Sequence, residues 1–257
     1  FLTILLAVLA GCSSLFAAGF RLAAPIADHM VLQREKPVAV WGWADAGESV
    51  TVAFAGQSKS ATADADGKWM LKLDALKASA EPRTLVVTGK EGHKLEVKDV
   101  LVGEVWLGSG QSNMEFSLGQ SALGDGDRKA PIDARLRLIK VPLAIARTPQ
   151  RSFSRPVNWR TGQVDTASFS AICLLFGREI AREQKVVVGL INSSYGGTPI
   201  EGWMDRTAMV SAGGMADWIA MIDAFAEDPV VAEARYGTQL DGYWTRANSP
   251  WPGRMGF

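Results

Sequence analysis

Val186-Val187-Val188-Gly189-Leu190-Ile191 runs directly into Asn192-Ser193-Ser194-Tyr195-Gly196-Gly197-Thr198-Pro199. An apolar run with no polar alternation leaves neither side of a strand for water, which predicts a strand in a parallel sheet covered on both faces. The residues before it, Ser168 to Gln184, predict a helix. Ala171, Leu174, Leu175 and Ile180 fit one buried stripe, and Arg178, Glu179, Arg182 and Glu183 supply polar positions. Cys173 reads as a small apolar residue on that helix. Helix, then buried strand, then glycine turn is the order of an α/β fold.

A second strand with the same ending lies upstream, where Val102-Gly103-Glu104-Val105-Trp106-Leu107 meets Gly108-Ser109-Gly110-Gln111-Ser112-Asn113-Met114. Leu136 to Val141 reads as another strand, Pro149 to Asp165 as a loop, and Asp205 to Glu227 as helical with a break at Gly213-Gly214. From Phe20 to Asp99 the pattern is different. Pro37–Trp43, Ser49–Phe54, Lys68–Leu73 and Arg83–Thr88 are short β-branched or aromatic runs, separated by turns such as Asp45-Ala46-Gly47 and Asp64-Ala65-Asp66-Gly67. That spacing predicts a small β-sandwich. The expected organisation is an export signal over 1–19, an all-β sandwich over 20–99 and an α/β domain with a parallel sheet over 100–241. A further β domain is expected to begin in the Trp-, Pro- and Gly-rich stretch 242–257.

Composition bounds the function classes. With 47% hydrophobic and 21% charged residues, the 257-residue chain is that of a core-forming protein. Lys plus Arg and Asp plus Glu number 27 each, so no basic surface for nucleic acid is expected. The apolar run Phe1 to Gly11 is too short to span a bilayer and matches the core of an export signal. Leu9-Ala10-Gly11-Cys12-Ser13-Ser14 resembles a bacterial lipobox, which makes Cys12 a candidate lipid anchor of an exported, periplasmic or surface protein. An ordinary cleaved signal with a chance cysteine is the alternative. No Cys or His cluster has metal-ligand spacing, and neither a metal nor a cofactor is expected.

Ser112 sits at a strand end, where parallel sheets present their ligands, and the turn and helix start after it offer backbone N–H groups to an oxyanion. It reads equally as a helix cap. The Gly-x-Ser-x-Gly elbow of the α/β-hydrolases does not occur there. The paired glycines Gly196 and Gly197 allow the second turn to approach a substrate closely. That turn also reads as a helix entry, with Thr198 as cap and Pro199 at the first position. Trp203 suits either stacking on a sugar or bracing the turn.

The blocks Val105 to Met114 and Gly189 to Trp203, with Asp28-His29-Met30-Val31-Leu32-Gln33-Arg34 and Phe169-Ser170-Ala171, Phe176-Gly177-Arg178-Glu179, resemble the bacterial sialate O-acetylesterases of the SGNH hydrolase superfamily. The blocks follow in the family's order. The resemblance implies a three-layer α/β catalytic domain in which Ser112 attacks an acetyl ester on a sugar. Its own N–H, with one from Gly196 or Gly197, would hold the oxyanion, and Gln111, Asn113 and Trp203 become candidates for contact with an O-acetylated carbohydrate. The family's later Gln-Gly-Glu block and Asp-x-x-His pair do not occur, and the histidines are His29 and His93, both in the expected sandwich. The expectation is a C-terminally shortened chain, inactive by itself, of an esterase. An acetyl-xylan esterase of the same chemistry and a non-catalytic glycan-binding lipoprotein are the rival readings.

Overall fold

The computed structural model describes residues 19–123, 133–144, 146, 150–161 and 166–248. The expected export signal, Cys12 included, lies outside the described residues, as do residues 249–257.

The chain first builds β1 (Arg21–Leu22), β2 (Val31–Gln33), β3 (Val38–Trp43), β4 (Ser49–Phe54), β5 (Gln57–Thr62), β6 (Lys68–Leu73) and β7 (Ser79–Thr88). Strict alternation in β6 buries Trp69, Leu71 and Leu73 and exposes Lys68, Met70 and Lys72. Val50, Val52 and Phe54 of β4 do the same and meet them in one core with Leu85 and Val87. Each such side chain stabilises by roughly 1.5–3 kcal/mol when fully buried. Ala55 and Gly56, both left-handed with φ of 49° and 81°, form the two-residue turn from β4 to β5. β5 was not expected, because apart from Ala61 it is polar, and none of its residues is fully buried.

The longest strand, β8 (Lys94–Gly110), belongs to both halves of the molecule. Its first part pairs antiparallel with β7, from Thr88↔Lys94 to Ser79↔Val102 with register shifts between. Residues 101–103 pair in parallel with β2. Its last part pairs in parallel with β10 (Val188–Ser194), from Val188↔Glu104 to Ser194↔Gly110, and β9 (Leu136–Lys140) flanks β10 on the far side. Among the described residues the sheets are therefore a three-stranded antiparallel one, β1-β3-β6, and a mixed one, β5-β4-β7-β8-β10-β9, with β2 also on β8. This is the α/β class with a leading all-β part. The boundary expected at residue 99 falls inside one continuous strand, and Ile139 and Trp159 pack into the sandwich core from the other side of it. Trp159 Nε1 also donates to the Pro25 carbonyl, 2.8 Å away.

The helices are α1 (Ser112–Glu115), α2 (Ala171–Gln184), α3 (Arg206–Ala212), α4 (Ala216–Glu227) and α5 (Pro229–Asn248). Ser170 caps α2 by accepting the Cys173 N–H at 3.2 Å, and Lys185 ends it in the left-handed region. The stripe facing the sheet is Ala171, Cys173, Leu174, Gly177 and Ala181. Leu175, expected inside, is 41% exposed, because the small residues are the ones that let the helix lie close to β10. Strand β10 is covered on both faces: Val188 and Leu190 lie under α2, and Gly189 lies against Val31 and Trp159. Where a β-rich stretch was expected from residue 242, α5 continues as helix to Asn248.

Two predictions follow from the sandwich and its shared strand. Gly103 lies where β8 exchanges partners, and a Cβ there would sit 2.0 Å from the Val187 carbonyl oxygen, a backbone atom that cannot step aside. Gly103→Ala is expected to cost about 3 kcal/mol and to lower a single melting transition followed by circular dichroism; two separated transitions would contradict the shared frame. Glu48 is buried and accepts the Lys90 N–H at 2.9 Å, His93 Nδ1 at 3.1 Å and the Asp45 N–H at 3.2 Å. Burial pushes its carboxyl up, but those donors outweigh burial and hold it below the ordinary value. Its stabilisation is therefore present above the unfolded pKa, about 4.3, and is lost as pH falls through the folded one. Glu48→Gln is expected to flatten the acid limb of stability against pH, and an unchanged limb would refute this.

Candidate active site

The parallel ladder of β8 and β10 delivers both glycine turns to one sheet edge. Its last rung is Ser194↔Gly110, and the Tyr195 N–H then donates to the Gly110 carbonyl at 2.9 Å. Asn192, fully buried beneath the turns, donates through Nδ2 to the Gly108 carbonyl at 3.3 Å and accepts the Ser194 hydroxyl at 3.3 Å. Cys173 and Met114 close in on Gly108 from the helix side. The Cys173 thiol is pushed up to about 11 by burial, so it packs as an apolar group.

Ser112 is the first residue of α1, a single turn, and is exposed. Its Oγ donates to Gln111 Oε1 at 2.6 Å and its N–H donates to the same oxygen at 2.8 Å. The expectation of Ser112 as the helix cap is not met: Gln111 is the N-cap and Ser112 is the first helical residue. Gln111 and Asn113 are exposed beside it. A helix of one turn has no aligned dipole to lend an oxyanion, which leaves individual N–H groups as the donors.

The Gly196-Gly197 turn lies against this serine. A Cβ built on Gly196 would be 3.6 Å from Ser112 Cα and 3.8 Å from its Cβ. The Gly196 N–H donates to Glu115 Oε2 at 2.5 Å, so this N–H, expected to serve an oxyanion, is engaged by a carboxylate. Thr198 does not cap a helix with its side chain. Its hydroxyl donates to the Tyr195 carbonyl at 2.6 Å and accepts Trp203 Nε1–H at 2.8 Å, and Pro199 stands before the short 3-10 turn Ile200–Trp203. Trp203 therefore braces the turn through its N–H while its ring stays 37% exposed.

Both histidines lie toward the other end of β8. His29 Nδ1 bonds Asp99 Oδ2 at 2.6 Å, and Arg137 Nη2 donates to the same oxygen at 3.3 Å. His93 stacks on Phe20 and bonds Glu48. At roughly 3.3 Å per strand residue, about 30 Å of β8 separates Asp99 from the turn that carries Ser112. Neither ring reaches the serine.

Residues 102–248 match the family model described as carbohydrate esterase, sialic acid-specific acetylesterase. The chain is 35% identical over 227 residues to a sialate O-acetylesterase of Rattus norvegicus, covering 81% of this chain and 42% of that protein. It is 34% identical over 215 residues to the sialate O-acetylesterase of Homo sapiens, covering 76% and 40%. A solved structure of a carbohydrate acetylesterase from Xanthomonas citri aligns with a TM-score of 0.68 at 38% identity, over 73% of this chain and 42% of that one. The chain spans about two-fifths of the length of these mammalian relatives. The similarity reaches mammalian proteins and so extends beyond the bacterial members that the sequence blocks resemble.

The burial of Cys173 yields a direct test of how the Ser112 turn is backed. Iodoacetamide at pH 8 is expected to leave Cys173 unmodified in the folded protein and to alkylate it fully in guanidinium, read by peptide mass spectrometry. Rapid alkylation of the native protein would refute a closed packing behind Gly108.

Proposed function

The chain belongs to the sialic acid-specific acetylesterase family of carbohydrate esterases, and on that premise we propose that Ser112 is the nucleophile of a carbohydrate O-acetylesterase working through an acetyl-serine intermediate. The observation that supports this most directly is the position of its exposed Oγ, at the carboxyl end of β8 and beside the turn that ends β10.

In this reading Ser112 Oγ attacks the acetyl carbonyl carbon, its proton passes to a base, and the carbonyl oxygen becomes an oxyanion received by the Ser112 N–H. Collapse of the tetrahedral species breaks the bond to the sugar oxygen, which leaves as the hydroxyl with the returned proton. Water then attacks the acetyl-serine and releases acetate. Gly196 is assigned as an anchor for Glu115, and Gly197, next to it in the turn, is kept as a candidate for a second oxyanion donor. Gln111 and Asn113 border the serine, and the exposed ring of Trp203 offers a flat face to a sugar.

A hydroxyl needs a base within hydrogen-bond reach to become a useful nucleophile. The Gln111 amide oxygen, which accepts the Ser112 proton donor, is too weakly basic, and His29 and His93 are too far along β8. We place the base in the part of the family's length that this chain does not span. The substrate is proposed to be an O-acetylated sugar, with sialic acid as the first to be tried.

Assays of a full-length protein on an O-acetyl sialic acid should show hydrolysis that Ser112→Ala lowers by about a thousandfold or more with an unchanged melting temperature. The 257-residue chain alone should turn over no faster than that variant. An active Ser112→Ala protein refutes the nucleophile, and a fully active 257-residue chain refutes the placement of the base.

A further inference from the structure

Glu115 follows Ser112 by three residues in one helical turn, so both side chains leave α1 on the same side. The β8–β10 ladder ends at Ser194↔Gly110, and the Tyr195 N–H to Gly110 bond extends it by one step. Past that point a charge-assisted bond from the Gly196 N–H to Glu115 Oε2 ties the two turns together. Gly196 leaves room for this contact: a Cβ there would lie 2.7 Å from that carboxylate oxygen and would push it aside. The same N–H, satisfied by Glu115, is turned to the carboxylate rather than to the reacting centre.

We propose that Glu115 is a positioning residue that sets the distance between the Ser112 turn and the 195–198 turn by holding the Gly196 N–H. The proposal rests on Ser112 being the nucleophile. Misplacing a reacting group by about 1 Å can cost about a hundredfold in rate, which is the scale of the effect expected here. The useful property is an acceptor oxygen at a fixed reach. The negative charge itself opposes an oxyanion nearby, so a neutral side chain of the same length should serve. Aspartate, one methylene shorter, should not.

The test compares Glu115→Ala, Glu115→Asp and Glu115→Gln in a full-length protein, with Ser112→Ala alongside. Glu115→Ala and Glu115→Asp are expected to lower kcat about 10- to 100-fold with KM within about threefold, and Glu115→Gln to restore most of kcat. Amide hydrogen exchange at Gly196 should be fast in the Ala variant and slow in the Gln variant. Wild-type kcat in Glu115→Ala overturns the proposal, as does a Gln variant as slow as Ala, which would assign the charge itself a role. If Glu115→Ala fails to fold, the near-isosteric Gln variant still decides. An active Ser112→Ala protein removes the nucleophile and the catalytic consequence together, whereas exchange at Gly196 still reports whether the tie exists.

Discussion

Strand β8 carries hydrogen bonds to β7 along its first half and to β10 along its second, so the antiparallel and the parallel part of the mixed sheet share one strand and neither can shift without disturbing the other. Where the partners change, Gly103 brings the backbones of β8 and Val187 closer than a side chain permits. The Arg34 N–H bonds the Gly103 carbonyl at 2.8 Å, and the Glu104 N–H bonds the Val187 carbonyl at 2.9 Å. Around this crossing Arg34 Nε pairs with Glu104 at 2.6 Å, and Gln33 joins both by donating through Nε2 to the Arg34 carbonyl and to Glu104 Oε2, each at 3.2 Å, while its Oε1 accepts the Val105 N–H. Burial pushes the Glu104 carboxyl up less than the Arg34 contact pulls it down, so it stays charged to lower pH than usual. The Ser112 turn is thus mounted on a strand whose other end is fixed in a separate core.

The parts of this fold legible in the sequence are those in which burial leaves a periodic trace. The alternation of Trp69, Leu71 and Leu73 and the unbroken run around Val188 and Leu190 each correspond to the face or faces they bury. β5 was not legible because it rides at a sheet edge on Ser, Lys and Gln. The full length of β8 was hidden by Asp99, where the all-β part was expected to end; Asp99 adopts a left-handed φ of 53° within the strand and the strand continues. In α5, the Trp-, Pro- and Gly-rich composition from Gly242 suggested the start of a β domain, yet the helix, which packs on α4, runs on to Asn248. The site was legible to the level of two glycine turns converging on Ser112. The role of Glu115 was not, because its partner is a main-chain N–H 81 residues away, and such a partner leaves no mark in residue type.

The two glycines illustrate why turn chemistry alone does not assign roles. Both suit an oxyanion hole by composition, but the N–H of one is used to hold the site together. Beneath them Asn192 and Ser194 spend their polar groups on the strand ends, fixing the floor of the site without reaching its surface.

The pairing of the Ser112 N–H and hydroxyl with a single Gln111 oxygen has an energetic consequence for any carbonyl compound that arrives. Its oxygen would take over a bond already made, so entry exchanges one acceptor for another and the number of hydrogen bonds stays level. Little net affinity comes from such a swap. What holds a ligand here must then come from the surfaces around the serine, among them the half-bare indole of Trp203 and the exposed Phe116, 45% open to solvent. On the proposed reading of Ser112, such a site would discriminate by the body of the molecule that carries the ester more than by the ester itself.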